Sequence, residues 1–316
     1  MTDTLCQCGL LKKKGILLPK IFVSIAAYED PLLARTINSL LDNADHPENI
    51  SFGICLQYSE DPELPKLKQD VRLIKFNPET RPGIVKIRYL ISQLLQDEDF
   101  YLQIDSHYLF EQSWDTKLIN HYNVLSQKYN TEKVYILPLG PFGNERMSSR
   151  WKINEIDDVR IGMLPENSRV PLTDVYTEIP YARVGQCFFP ADFIRDVGMD
   201  PYTQVGHEIA YFSYRMFMSG YTMIQVNENL MNQADEEYLA KNWSNTKENR
   251  FGSALAKDNP MTEYELTLAL IYNDYSKYAI KDAVRTAEDF WIANDEHEKY
   301  KEIKTRLDRF INNEFN

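Results

Sequence analysis

Phe100-Tyr101-Leu102-Gln103-Ile104-Asp105-Ser106-His107 is a run of aromatic and branched apolar residues that stops abruptly in a carboxylate, a hydroxyl and an imidazole. The run has strand character, and its end places polar chemistry where a buried strand leaves a sheet. Upstream, Ile21 to Ile25 is a short apolar strand, and Asp30-Pro31 after it reads as a helix start, with a carboxylate cap and a proline in the first turn. Leu33, Ile37, Leu40 and Leu41 then recur at helical spacing, with Arg35 and Asn38 on other faces. Strands near Ser51 to Gln57 and Val71 to Phe76 follow. A helix after Arg81-Pro82-Gly83 carries Ile87, Leu90, Ile91, Leu94 and Leu95. This alternation predicts an α/β domain, with a mostly parallel central sheet flanked by helices and its chemistry at the carboxyl ends of the strands.

Downstream of Trp114 the pattern loosens. Lys133 to Leu139 reads as a strand, and Arg183 to Phe189 as another, leading into a short helix that ends at Gly198. Gly206 to Ser219 reads as a helix with Ile209, Phe212, Met216 and Phe217 on one face, stopped by Gly220 and followed by the strand Tyr221 to Val226. From about Met261 the chain is helical only. Ile280, Ala283, Val284, Ala287, Phe290 and Trp291 form one stripe, and Tyr300, Ile303, Leu307, Phe310 and Ile311 another. The expected organisation is an N-terminal segment over 1–19, a catalytic domain over 20–245 and an all-helical C-terminal extension over 246–316.

The 316 residues are 43% hydrophobic and 26% charged, a composition that folds around a sizeable core. Thirty-five basic against forty-seven acidic residues give a net charge of −12, which disfavours nucleic acid as a partner. A local basic groove around Arg146, Arg150 and Lys152 is the exception to weigh. No apolar run reaches membrane-spanning length, and Lys12-Lys13-Lys14 follow rather than precede the few apolar positions of the start, so neither a membrane span nor a secretory signal is expected. Four irregularly spaced cysteines, Cys6, Cys8, Cys55 and Cys187, suit a reducing compartment, and the expected location is cytoplasmic. Cys6-Gln7-Cys8 resembles half of a metal site without a second pair to complete it.

Asp105 and His107 flank one residue, so in extended geometry both side chains emerge on one side and can grip one ion. A carboxylate and an imidazole nitrogen, completed by diphosphate oxygens and water, suit Mn²⁺ or, alternatively, Mg²⁺.

Together with other blocks, this one carries a family resemblance. Ile21-Phe22-Val23-Ser24-Ile25-Ala26-Ala27-Tyr28-Glu29-Asp30, Gly83 with Arg88, Tyr101 to His107, Trp114-Asp115, Asp200-Pro201, Gly206-His207-Glu208-Ile209, Arg215 and Gly220-Tyr221 resemble the GT-A polypeptide GlcNAc-transferases, from about Lys20 to Gln233. The resemblance implies a Rossmann-like GT-A fold and a metal-dependent, retaining transfer of GlcNAc or a related hexose from a UDP-sugar to an acceptor hydroxyl on a protein or glycan. It places Ser24, Ala26, Ala27 and Tyr28 in a loop around the uridine, assisted by Asp30. Arg88 approaches the diphosphate, Asp105, Ser106 and His107 form the DxH metal motif, and Trp114 and Asp115 are a structural and donor-side pair. Packing is the other reading of Trp114, and an ordinary solvated helix residue the other reading of Arg88. Glu208 matches an acidic residue on the sugar or acceptor side, although a carboxylate at a helix start is also explained by the macrodipole. His207 stands beside Glu208 where the family has a glutamate, which bears on sugar recognition or on a further metal or phosphate contact. Gln233 or Asn232 stands where the family has a third, histidine metal ligand. Two other readings remain: a UDP-sugar-binding pseudoenzyme, and a transferase acting on a hydroxymethylated nucleobase.

Overall fold

A computed structural model describes residues 18–80, 82–138, 145–171, 174–203, 208–233, 262–273 and 279–312, with the backbone alone at 145–149, 167–171 and 263. The expected first strand extends further than its apolar run: β1 spans Ile21–Tyr28, and five of its residues, Ile21, Phe22, Val23, Ile25 and Ala27, are buried apolar side chains. Both faces of the strand are covered, and a parallel strand in that position reads as an almost continuous hydrophobic run. The chain goes on through α1 (Leu33–Asp42), β2 (Ile50–Gln57), β3 (Val71–Phe76), α2 (Ile84–Ser92) and β4 (Phe100–Asp105). It continues with β5 (Tyr108–Phe110), α3 (Trp114–Tyr129), β6 (Val134–Pro138), the hairpin strands β7 (Glu145–Glu155) and β8 (Ile161–Pro171), β9 (Tyr176–Glu178), β10 (Gln186–Pro190) and α4 (Asp192–Asp196). Then come α5 (Glu208–Met218), β11 (Thr222–Val226), β12 (Met231–Gln233) and three C-terminal helices, α6 (Glu263–Tyr272), α7 (Ala287–Ala293) and α8 (His297–Ile311).

An eight-stranded sheet has the order β3-β2-β1-β4-β10-β6-β11-β9. β1 pairs in parallel with β2 on one side and β4 on the other, β2 pairs in parallel with β3, and β11 with β6. β10 runs antiparallel between β4 and β6, and β9 antiparallel on β11. The chain steps outward from β1 to β2 and β3 and then returns to the far side of β1 as β4. This reversal opens a crevice beyond the carboxyl ends of β1 and β4, the position where ligands of open α/β sheets bind. Helices cover both faces. Leu33, Ile37 and Leu40 of α1 and Leu118 and Leu125 of α3 pack with Val23 and Ile25 on one side. Ile87 and Ile91 of α2 and Phe212 and Met216 of α5 pack with Phe22 and Tyr101 on the other. Gly53 in β2 makes room for that second layer, because a Cβ there would overlap the Phe22 ring.

Two expectations are corrected here. Asp30 does not cap α1: the N-cap is Leu32, without a side-chain bond, and Asp30 closes an Asx turn by accepting from the Leu32 N–H at 2.9 Å. Val284, Phe310 and Ile311, assigned to apolar stripes, are exposed. Of the rest, Ala283 is half-buried and the others are buried: Phe290, Trp291, Tyr300, Ile303 and Leu307 share one core with Trp151 and Ile153 of β7, Ile161 and Met163 of β8, and Tyr211 and Tyr214 of α5. The C-terminal helices therefore complete a core that the hairpin cannot close alone.

Away from the crevice, a buried ion cluster ties the sheet edge together. Glu98 accepts from Arg72 Nη2 at 2.6 Å, from the Ser51 hydroxyl and from the Gln96 N–H. Burial pushes the Glu98 carboxyl up, but the Arg72 and Ser51 contacts outweigh it and hold the group below its ordinary value. A carboxylate with a depressed folded-state pKa contributes stability above its unfolded value of about 4.3 that is lost as pH falls through the folded value. Glu98→Gln is expected to cost about 3 kcal/mol at pH 7 in urea unfolding, and to flatten the loss of stability that the native protein shows as pH falls below about 4.3.

Candidate functional site

At the carboxyl end of β4, Asp105 lies in register with Ala26 of β1. Its N–H donates to the Gly185 carbonyl at 3.0 Å, so the segment entering β10 lies alongside the strand's last residue. A Cβ on Gly185 would sit 2.8 Å from Asp105 Oδ2, which explains why the position has no side chain. On its other oxygen, Oδ1, Asp105 accepts from Arg88 Nη2 at 3.1 Å; the carboxylate is 34% exposed and the guanidinium 12%. Arg88 is thus an ion-paired residue at the strand end, which decides against a solvated helix position. Gln103 and Gln186 fix the neighbouring segment: the Gln103 amide donates to the Val184 carbonyl, and Gln186 accepts from the Tyr108 hydroxyl at 2.9 Å and donates to the Pro138 carbonyl at 2.9 Å.

The strand ends at Asp105 and the chain bends through Ser106 and His107, so the alternation that put Asp105 and His107 on one side of an extended strand does not apply across the bend. The two residues acquire different partners. His107 is 5% exposed and places Nδ1 2.8 Å from Asp30 Oδ2. The Ser106 hydroxyl donates to the same oxygen at 2.6 Å, while the Ser106 carbonyl accepts from Thr36 Oγ1 at 2.8 Å. Thr36 Oγ1 also accepts from the Tyr108 N–H at 3.0 Å, so a single threonine of α1 pins both sides of the bend. Asp30 is itself 5% exposed. Burial raises its carboxyl pKa, but hydrogen bonds from His107, Ser106 and the Leu32 N–H prevail and hold the group below the ordinary aspartate value. Of the two Asp30 oxygens, Oδ2 is bonded to the bend and Oδ1 to the Leu32 N–H.

These residues fit a divalent cation by the chemistry of their donors. With Nδ1 facing a carboxylate, the atom of His107 left to hold a cation would be Nε2, in the carboxylate–histidine arrangement common at metal centres, and the Asp105 carboxylate stands at the adjoining strand end. β12 pairs antiparallel with β5, and the register sets Gln233 opposite Tyr108, beside the bend. Asn232 lies opposite Leu109 and its amide donates to Glu111 at 3.2 Å, so of the two candidates for a third ligand it is Gln233 that borders the bend. Among the described residues no group of three His, Cys, Asp or Glu side chains comes together as a metal cluster.

Arg88 also lines a cleft, together with Val184, Asp200, Glu208, Tyr211 and Arg215. Glu208 opens α5, where the macrodipole favours a carboxylate, and faces this cleft. Arg215 donates to the Val197 and Gly198 carbonyls at 2.6 and 3.2 Å and lies over the Tyr211 ring. The side chains of Arg88 and Glu208, 120 positions apart by their numbers in the chain, thus border one space. His207 lies outside the described residues, as do Cys6 and Cys8.

The other expected positions divide. The Ser24 to Tyr28 loop is strand, not loop; Ser24 and Ala27 are buried within the sheet, whereas Ala26 and Tyr28 at its end are half-buried. Trp114 and Asp115 have structural partners: Trp114 is fully buried with its indole N–H on the Leu40 carbonyl at 2.8 Å, and the Asp115 carboxylate accepts from the Asp45 and His46 N–H groups at 2.9 and 2.8 Å. Two of the three basic residues of the expected groove are paired by the turn between α7 and α8. Arg150 pairs with Asp295 at 3.3 Å and Lys152 with Glu296 at 3.1 Å, and the side chain of Arg146 lies outside the described residues. Thr36, Gly185 and the bracing role of Asp30 escaped the sequence reading, since each is defined by a partner distant in the chain.

A family model described as Glycosyltransferase (GlcNAc) matches residues 20–69 and 61–289. No curated protein matches the chain. Among solved structures, the crystal structure of GalNAc-T7 with UDP, GalNAc and Mn²⁺ superimposes with a TM-score of 0.55 at 15% identity, covering 90% of this chain and 55% of that one. At that identity the likeness is one of fold, and it bears out a GT-A architecture built on a large, mostly parallel central sheet flanked by helices. The chain spans about half the length of that structure.

Proposed function

Because the chain belongs to the glycosyltransferase (GlcNAc) family, we propose that it transfers a sugar, GlcNAc or a related hexose, from a UDP-sugar donor to an acceptor hydroxyl with the help of a divalent cation and with retention of configuration. The observation that carries this reading is the arrangement at the switch point of the sheet. A carboxylate at the end of β4 and an arginine paired with it stand beside a cleft that carries a second carboxylate. The solved relative in fold holds UDP, GalNAc and Mn²⁺, which supports the choice of nucleotide and cation.

In this reading Asp105 and the Nε2 atom of His107 hold the cation, with Gln233 the residue best placed to assist them. Bound Mn²⁺ or Mg²⁺ supplies positive charge to the diphosphate as UDP leaves. Arg88 turns its guanidinium from Asp105 toward the diphosphate, a charge-assisted hydrogen bond that strengthens as negative charge develops. Ala26 and Tyr28, half-buried at the carboxyl end of β1, border the nucleoside. Glu208 faces the cleft from the helix start and orients the attacking hydroxyl or steadies the electron-poor sugar carbon. With position and electrostatics as the source of rate, no protein nucleophile is required.

The paired state of Arg150 and Lys152 favours a protein or glycan acceptor over a nucleobase. Among the described residues no helix is long and apolar enough to cross a membrane. A cytoplasmic site of action is part of this proposal, as is a catalytic domain over 20–245 whose second core the C-terminal helices close. Gly185→Ala tests the geometry of the strand end: a methyl group pressed against Asp105 is expected to lower kcat/KM about 10²-fold, as a displacement near 1 Å does at a reacting centre, with thermal stability close to native.

The reading is tested by thermal-shift and hydrolysis assays against a panel of nucleotide sugars with Mn²⁺, with Mg²⁺ and with chelator. Stabilisation by one UDP-sugar and slow cation-dependent release of UDP from it are expected. UDP binding without turnover of any donor would identify a binding protein instead, and failure of every nucleotide to bind would remove the assignment.

A further inference from the structure

Asp30 is a nearly fully buried carboxylate, and among the described ion pairs its partner is a histidine, with neither lysine nor arginine beside it. Burying such a group is costly unless hydrogen bonds satisfy it. Here two of the three contacts that do so also fix the bend after β4: Ser106 Oγ at 2.6 Å and His107 Nδ1 at 2.8 Å share Oδ2, while Oδ1 accepts the Leu32 N–H at 2.9 Å. The backbone of Asp30 is clamped as well, since the Tyr58 hydroxyl accepts from the Asp30 N–H at 3.1 Å and donates to the Asp30 carbonyl at 2.7 Å. An Asx turn alone would need only the Leu32 contact. The additional pair of bonds reaches 76 and 77 positions along the chain to the two residues that follow Asp105.

We propose that Asp30 is a positioning residue that fixes the tautomer and ring orientation of His107, keeping the proton on Nδ1 and the Nε2 lone pair turned toward the cation, with Ser106 as the second strut. A carboxylate only accepts, so the ring nitrogen facing it carries hydrogen and the other nitrogen is the ligand. An asparagine in its place can present its amide group to Nδ1, which drives the proton to Nε2 and removes the lone pair. The inference rests on the cation-dependent reading above.

Two measurements test it. Long-range ¹⁵N–¹H spectra of histidine-labelled native protein are expected to show His107 as the Nδ1–H tautomer; an Nε2–H tautomer overturns the proposal without recourse to any variant. Mn²⁺ binding, followed by electron paramagnetic resonance in the presence of UDP, is expected to weaken about 10- to 100-fold in Asp30→Asn, the usual effect of losing a histidine's outer partner, and to recover in part in Asp30→Glu. UDP affinity measured in chelator is expected to stay within about twofold of native, which a general loss of structure would not allow. Native Mn²⁺ affinity in Asp30→Asn overturns the inference and leaves the proposed function standing. Absence of Mn²⁺ binding in the native protein overturns the cation requirement of that function, and this inference with it.

Discussion

Asp105→Ala is expected to lower cation-dependent sugar transfer by about 10³-fold or more, because a divalent ion at a leaving diphosphate is worth several kcal/mol of transition-state stabilisation and each 1.4 kcal/mol is tenfold in rate. The fold should survive. Asp105 is the last residue of β4, its carboxylate is one-third exposed, and its strand bonds are made by the backbone. What the substitution removes inside the protein is the partner of Arg88, at a cost of about 1–3 kcal/mol. Urea unfolding combined with initial rates over a Mn²⁺ series separates the two effects. A fully active Asp105→Ala protein would show that the ion, if one acts, is held elsewhere.

The second large effect is expected at Arg88. Its guanidinium bridges the Asp105 carboxylate and the cleft that contains Glu208, so it is placed to pass between an acidic residue and an arriving diphosphate. Arg88→Ala should reduce kcat/KM for the donor by about 10²- to 10³-fold, the scale of one preorganised charge-assisted donor lost from a reacting site. Arg88→Lys should recover only part of this, since an ammonium does not reproduce the planar fork of the guanidinium. Arg88→Ala also removes a positive group 3.1 Å from Asp105, so in that variant Mn²⁺ binding measured without nucleotide is expected to tighten while donor turnover falls. Opposite signs in these two readouts would distinguish a diphosphate-facing arginine from one that merely steadies α2.

The strands and helices from Ile21 to His107 were legible because a parallel sheet buried on both faces writes itself as nearly continuous apolar runs, here Ile21 to Ala27 and Phe100 to Ile104, each broken by one polar residue, Ser24 and Gln103. Two elements were not. α3 turns Trp114, Leu118, Tyr122 and Leu125 inward, but buried Asp115, His121 and Ser126 interrupt that face, and each is satisfied by contacts invisible in the local pattern or by its own surroundings. The β7–β8 hairpin pairs an apolar face, Trp151, Ile153, Ile161 and Met163, with helices more than 100 positions further on, so its burial depends on a surface the local sequence does not contain. The site divided along the same line. Asp105 and His107 were nameable from their types and spacing, and Arg88 and Glu208 from the family resemblance. Asp30 was assigned to a ligand and its bonds to the bend were not foreseen, because they exist only once β1 and β4 are side by side. Gly185 carried no signal at all: a glycine before a strand is ordinary until the neighbouring Asp105 oxygen is known to fill the space of its Cβ.

The most direct test of a cation-assisted, UDP-sugar site at the switch point is anomalous scattering at the manganese edge from crystals soaked with UDP and Mn²⁺. A single peak beside the Asp105 carboxylate and His107 Nε2, with the diphosphate against it and Arg88 turned toward the phosphates, is the predicted result. UDP bound in the cleft with manganese at another position, or with none, would contradict the assignment of Asp105 and His107 as the cation site.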